Sequence, residues 1–290
     1  VSQPVIVVGV DPSEHAQLAL RWAAAQAHRS GARLRVVHVV DTRAPLDPQI
    51  LAAIPIESSD ADTGTTVEQW LDRVIADLAN TDDIDAEPFL RQGSASAALL
   101  ELADHADLLV VGSRGRGGIA GALLGSTAQQ VTGHARVPVV VVRAEPHDKG
   151  AVVVGTDGSE HADRAVDIAF EQARLHHATL RLVHAWSPSF AGTLAPSYQG
   201  FDDRTVTEEH AAAEEVVKAT AARVMERDPD VAIDALLTRD PAARFLIEAS
   251  SDAALVVVGS RGHGGFASLV LGSVSSAVLH HADCPVMVVP

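Results

Sequence analysis

Cysteine, lysine and positive charge are what this 290-residue sequence has least of. The single cysteine, Cys284, has no partner for a disulfide within the chain. Its place in the apolar run Cys284-Pro-Val-Met-Val-Val289 reads as packing. Lysine occurs only at Lys149 and Lys218, neither of them in a glycine loop. A P-loop, which needs G-x4-G-K-[ST], is therefore absent, and rapid hydrolysis of the P-loop kind is excluded. Lysine and arginine number 22 against 38 aspartates and glutamates, a formal charge of −16. With no basic cluster to meet phosphates, neither nucleic acid nor an anionic membrane is an expected partner. No apolar stretch approaches the ~20 residues that span a bilayer. The amino-terminal end runs into an apolar strand without a basic region and a long apolar segment, so the expected location is the cytoplasm. There is also no H-E-x-x-H pair, and the neighbours His176-His177 and His280-His281 fall near predicted helix ends, where a cationic imidazole suits the dipole. No dedicated metal site is expected.

What the chain does have, it has twice. Val8-Gly-Val-Asp11 followed by Pro-Ser-Glu-His-Ala returns as Val154-Gly-Thr-Asp157 followed by Gly-Ser-Glu-His-Ala, a shift of 157 − 11 = 146. Leu34-Arg-Val-Val-His38 returns as Leu180-Arg-Leu-Val-His184 at the same shift, and Gly112-Ser-Arg-Gly115 returns as Gly259-Ser-Arg-Gly262 at 147. So constant a shift means two copies of one domain, 1–145 and 146–290, joined by a short linker that holds them close.

Within each copy, β-branched apolar runs alternate with segments of helical period. The first gives strands near 5–10, 34–40, 86–91, 108–112 and 137–142; the second near 152–155, 180–186, 232–237, 255–259 and 285–289. Strands that are apolar throughout are buried on both faces, as in parallel sheets covered by helices. Ala16, Leu20, Ala23 and Ala27 mark one helical stripe and Ala162, Val166, Ala169 and Ala173 repeat it, with Ser13 and Ser159 as N-caps. The order βαβαβαβαβ predicts an α/β fold of two tandem doubly wound domains. A ligand then sits outside the carboxyl ends of the strands, at the point where strand order reverses.

The most informative residues follow the fourth strand: Gly112-Ser-Arg-Gly115 through Gly125-Ser126, and Gly259-Ser-Arg-Gly262 through Gly272-Ser273. Both obey G-x2-G-x9-G-S ahead of a helix. Glycines let backbone N–H groups approach phosphate oxygens and adopt positive φ, and a helix start adds unpaired donors and a favourable dipole. Ser126 and Ser273 add hydroxyls there, and Arg114 and Arg261 offer guanidinium forks that pair with phosphate or stay solvated. A lone glycine-rich turn would be weak evidence; two copies with one spacing are strong evidence for nucleotide or phosphate binding. Asp11 and Asp157 end the first strand of each copy. Either carboxylate caps a helix beside Ser13 or Ser159, or it faces a ribose, a base or a phosphate-bound metal.

In these motifs the chain resembles the universal stress protein family in its tandem, ATP-binding form. The resemblance implies a five-stranded parallel sheet of order 3-2-1-4-5 in each domain, flanked by helices, with fifth-strand edges pairing between domains. It further implies contacts to ATP, with magnesium as an option, from Gly9, Asp11, Val39, Gly112, Ser113, Arg114, Gly115, Arg116, Gly117, Gly118, Gly125, Ser126 and Thr127. The second copy offers Gly155, Asp157, Ala185, Gly259, Ser260, Arg261, Gly262, His263, Gly264, Gly265, Gly272, Ser273 and Val274. Two of these depart from the first copy: Val274 replaces Thr127 and removes a hydroxyl, and Ala185 replaces Val39 at the expected adenine wall. The second site is expected to bind less tightly.

His38 and His184 recur on the second strand as a shared hydrogen-bonded core position, and His15 and His161 recur beside the site. The segments 42–64 and 187–203 carry apolar residues that cover an edge or an interface, or close over the ligand. Glu208, Glu209, Glu214 and Glu215 read as a solvated face. Two function classes remain: a regulator or sensor that holds ATP with slow or no turnover, and an enzyme acting on the nucleotide, as a weak ATPase or by adenylyl transfer. The second class calls for an SGGxDS-type or HIGH-type signature or a gathered nucleophile and base, and none is found. No catalytic residue is expected, the two domains form an intrachain pseudo-dimer, and a homodimer of the whole chain stays open.

Overall fold

The computed structural model describes residues 3–40, 67–82, 84–115, 124–145, 147, 150–187, 203–262 and 271–290. All of 42–64 and all of 187–203 but its two end residues lie outside them, and with them the reading of those segments as covers. The chain divides into two compact units. One is Val1–Pro146 with Pro285–Val288 and Pro290; the other is His147–Cys284 with Val289.

The first unit runs β1 (Val5–Val10), α1 (Glu14–Ser30), β2 (Arg33–Val40), α2 (Val67–Asp82), β3 (Ala86–Gln92), α3 (Ala95–Ala103), β4 (Leu108–Gly112), α4 (Ser126–His134) and β5 (Val139–Val142). Its strands lie in the order β3-β2-β1-β4-β5, all parallel, with Val8 opposite Val36 on one side and Val110 on the other. Val7, Val8, Leu109 and Val110 are wholly buried, because helices cover both faces. Each such side chain contributes about 1.5–3 kcal/mol of burial. α1 packs beside α2 and α3 beside α4, as right-handed crossovers to either side of β1 require.

The second unit repeats the plan with β6 (Val152–Thr156), α5 (Glu160–His176), β7 (Leu180–Ala185), α6 (Asp203–Met225), β8 (Ile233–Thr238), α7 (Ala242–Ala249), β9 (Leu255–Gly259) and α8 (Ser273–His281). Its parallel order is β8-β7-β6-β9. The last strand, β10 (Val286–Val289), pairs antiparallel with β5, Met287 facing Val140.

Ser13 and Ser159 cap α1 and α5 as expected, each hydroxyl accepting from the third residue on, Ala16 or Ala162, at 3.2 Å. The stripe on α5 is buried throughout, but on α1 Leu20 is only half-buried. Ala19, Trp22 and Ala24 sink instead, since a helix of small residues lies flat and buries a broader face. β5 begins two residues later than its apolar run, after Pro138, and β10 one later, after Pro285, because proline cannot donate to a ladder. Among the described residues no helix is long and apolar enough to cross a membrane.

α5 and α6 are tied by Arg223 to Asp163 and Asp167 and by Arg227 to Asp167 and Glu171, with Arg227 also over the ring of Phe170. On the acidic face of α6, Glu208 and Glu215 are exposed, while Glu214 is half-buried and pairs with Lys218 at 2.9 Å. Cys284 is fully buried, and burial pushes its thiol up to about 12, as befits a packing residue.

The two first helices end differently. Gly31 closes α1 at φ 66°, whereas His177 closes α5 at φ 49°, a left-handed conformation that costs a residue with a Cβ. His177→Gly is expected to raise stability by about 0.5–1 kcal/mol, read as a higher urea midpoint at unchanged slope. An unchanged or lowered midpoint would show that His177 is held by other contacts.

Candidate functional site

Strand order reverses beside β1, which has β2 on one flank and β4 on the other, and the carboxyl ends of these strands bring the expected residues together. At the end of β4, a Cβ on Gly112 would stand 2.6 Å from the carbonyl carbon and oxygen of His15, so the start of α1 presses directly on this glycine. Gly115 is packed against the Asp11 carboxylate, 2.7 Å from a would-be Cβ to Oδ2. Gly9 lies on Leu99. The buried Ser113 donates its amide to the carbonyl of Val142 at 2.9 Å, and its own carbonyl accepts from Gly125 at 2.8 Å. That last bond sets the start of α4 over the loop.

The second unit keeps the same joints. Gly272 donates to the carbonyl of Ser260 at 2.8 Å, Ser260 donates to Val289 at 2.6 Å, and Gly259 rests on the carbonyl of His161. Gly262 packs against Asp157, Gly155 against Leu246. Here the Ser275 hydroxyl adds a bond to the carbonyl of Gly259 at 2.6 Å, where the first unit has Ala128.

Positive φ was one reason to expect glycines in these loops, and at the described positions it is not the operating one. Gly112, Gly115, Gly125, Gly259, Gly262 and Gly272 all lie outside the positive range, which the glycines Gly31, Gly93 and Gly158 occupy. Close approach leaves no room for a side chain at Gly112 and crowds one at Gly115, Gly259 and Gly262, whereas at Gly272 a Cβ would meet only ordinary contacts. Arg116, Gly117, Gly118, His263, Gly264 and Gly265 lie outside the described residues.

Bracing the serine cap uses one oxygen of each aspartate. Asp11 Oδ1 accepts from the Ser13 amide at 3.0 Å and from the Ser13 hydroxyl, and Asp157 Oδ1 accepts from the Ser159 amide at 3.0 Å. The serine caps the helix; the aspartate braces the serine and turns its Oδ2 toward Gly115 or Gly262. Ser13 Oγ also lies 3.4 Å from the carbonyl of Arg114, joining this turn to the loop.

α4 and α8 start otherwise than α1 and α5. Gly125 and Gly272 are their N-caps, extended at φ −75°, ψ 154° and φ −68°, ψ 158°, and no side chain caps either. Among the described residues no side chain meets the first-turn amides, which lie beside the exposed Ser126 and Ser273. Thr127 and Val274 follow, half-buried. Val39 and Ala185, at the ends of β2 and β7, are half-buried too and pair with Arg91 and Thr238. His38 and His184 share the expected role, each Nδ1 bonded at 2.8 Å to the carbonyl of Val10 or Thr156. They are half-buried rather than core residues, His38 with its ring edge to Trp70.

His15 accepts from Arg114 Nε at 3.0 Å. Burial holds its pKa below the usual value, helped by the charges of Arg114 and Arg143 and opposed by Glu14 and Asp11. Sequence reading passed over Arg143. Its signal is that it is the first charged residue after β5, at the same carboxyl edge, where the second copy has Pro290. Among the described residues no group of three metal-binding side chains occurs.

The description "universal stress protein family" fits residues 4–143 and again 150–290. The chain belongs to that family. A universal stress protein of Mycolicibacterium smegmatis is 34% identical over 292 residues, covering 98% of this chain and 96% of its own. One of Mycobacterium tuberculosis is 35% identical over 300 residues, covering 98% and 95%. Among solved structures, a functionally unknown protein of Pseudomonas aeruginosa matches with a TM-score of 0.67 at 16% identity, over 99% of this chain and 92% of its own. A universal stress protein of Archaeoglobus fulgidus matches at 0.64 and 16%, over 98% and 97%. At such identities the structural likeness concerns the fold.

The glycines of this universal stress protein differ in what they tolerate. Gly112→Ala drives a Cβ into backbone and is expected to cost about 2 kcal/mol or more. Gly125→Ala, whose Cβ would meet the Arg114 Cα at 3.3 Å, should cost no more than about 1 kcal/mol. Denaturant titration of the two variants checks the order, and equal costs would contradict it.

Proposed function

We propose that each repeat, 1–145 and 146–290, holds an adenine nucleotide, ATP, and that the protein is a cytoplasmic stress-response regulator whose state follows nucleotide occupancy, with slow or no hydrolysis. One observation carries this reading. In both units a helix start without a side-chain cap is hydrogen-bonded onto a G-x2-G-x9-G-S loop at the strand reversal, with a braced carboxylate facing the loop. Unpaired amides and the helix dipole favour a polyphosphate there. Val39 and Ala185 stand at the neighbouring strand end, where a base would lie. A magnesium ion would take phosphate oxygens and water with Asp11 or Asp157, whose oxygens suit a hard cation.

Binding rather than chemistry is favoured by what surrounds the hydroxyls. Among the described residues, Ser126 and Ser273 have no hydrogen-bonded base, and His15 at the start of α1 is engaged with Arg114. The proposed work of the site is therefore to hold a triphosphate.

Mass analysis of small molecules released from gently purified protein tests the reading. ATP is the expected product. Gly125→Ala and Gly272→Ala should each remove one of two equivalents, and together both. Release of a flavin, or no release together with no calorimetric binding of added ATP, would overturn it.

A further inference from the structure

The two repeats share a histidine after the aspartate turn and an arginine in the glycine loop: His15 with Arg114, His161 with Arg261. Only the first pair is joined. Arg114 Nε donates to His15 Nε2 at 3.0 Å, while among the described residues His161 and Arg261 are not bonded to each other. To accept there, Nε2 must present its lone pair, which fixes His15 as the neutral tautomer with its proton on Nδ1. A guanidinium held by Nε keeps its terminal N–H groups on the opposite side, the arrangement that meets phosphate two bonds at a time. The Arg114 side chain is exposed, on the loop that faces the start of α4.

Left alone, an exposed arginine loses rotamer freedom when it grips a ligand, and a tether made beforehand removes part of that cost. We propose that His15 is the positioning residue of the first nucleotide site: its neutral imidazole holds Arg114 ready for the phosphates, and its protonation releases Arg114 and weakens that site alone. This rests on the nucleotide reading given above and adds a regulation to it.

The groups that face His15 agree with a neutral ring at rest. Arg114 and Arg143 oppose a positive charge on it and Glu14 and Asp11 favour one, and burial tips the balance toward the uncharged form. Acidification adds a proton to Nε2, which removes the acceptor and sets imidazolium against guanidinium. The second repeat lacks both the bond and the second cation, since Pro290 stands where the first has Arg143. It is a control built into the same chain.

The test is calorimetric titration of the full chain with ATP, with Gly272→Ala silencing the second site. Two variants separate the acceptor from the bulk of the ring: His15→Leu removes it, and His15→Gln retains an acceptor that does not titrate. At pH 8, His15→Leu should weaken binding about three- to tenfold, the range of one hydrogen bond, and His15→Gln should recover most of the loss. Between pH 8 and 5.5 the parent should lose affinity relative to His15→Gln; titration of ATP itself is common to both and cancels in the ratio. In an Arg114→Leu background the His15→Leu effect should vanish, which a merely structural role would not produce. A flat ratio across pH, or an equal His15→Leu loss with and without Arg114, would overturn the proposal while leaving nucleotide binding intact. If the parent binds no ATP at any pH, the nucleotide reading fails first and takes this one with it.

Discussion

A parallel strand buried on both faces has nowhere to put a polar side chain except at its ends. β1, β4, β6 and β9 are almost entirely valine and leucine, with Val7, Val8, Val110, Val153 and Val257 fully buried, and a polar group among them would lose its water without a partner. Whatever chemistry this fold performs is therefore pushed to the carboxyl edge. There the ladder stops, and backbone groups of the loops are free to bond to one another. The bonds Gly125 to Ser113 and Gly272 to Ser260 lie at that edge: where β4 and β9 end, the amide of the next helix's own cap residue anchors it to the loop.

A glycine cap holds the helix in place but supplies no side-chain oxygen to its first turn. In α1 and α5 a serine answers those amides; in α4 and α8 none does. Within one repeat, then, the same fold closes one helix start with a serine and, among the described residues, gives the other no side-chain cap, on the strand pair where order reverses. An anion at the second start would replace what the serine does at the first, with a full charge in place of a hydroxyl dipole.

Much of this was legible in the sequence, for a physical reason. Valine runs announce doubly buried strands, and the paired spacing of 146 and 147 residues turns one ambiguous glycine loop into two concordant ones. Ser13 and Ser159 could be read as caps because capping depends on local chain geometry alone. What the sequence does not reveal concerns contacts between distant residues. Gly112 was expected to bring its backbone close to a phosphate, and the sequence gives no sign that the carbonyl of His15, almost a hundred residues away, lies against it. Asp11 looked like either a cap or a ligand because the brace it gives Ser13 and its packing on Gly115 belong to different parts of the fold. Arg143 escaped notice because nothing in the four valines before it tells which charges will share its edge.

The divergence between repeats also has a physical logic. Duplication copies the joints that fold each unit, and those joints are backbone bonds, which side-chain substitution leaves largely untouched. Side chains that only line the edge are under no such constraint, and there the copies part: Arg143 against Pro290, Ala128 against Ser275, Thr127 against Val274, Val39 against Ala185. In the second unit the loop is tied more tightly to its own helix, through Ser275 and the carbonyl of Gly259. In the first, the polar contacts reach toward the edge instead, from Ser13 to Arg114 and from Arg114 to His15. Two loops built on one backbone frame, one stiffened from within and the other surrounded by titratable and cationic side chains, would answer one ligand in two ways.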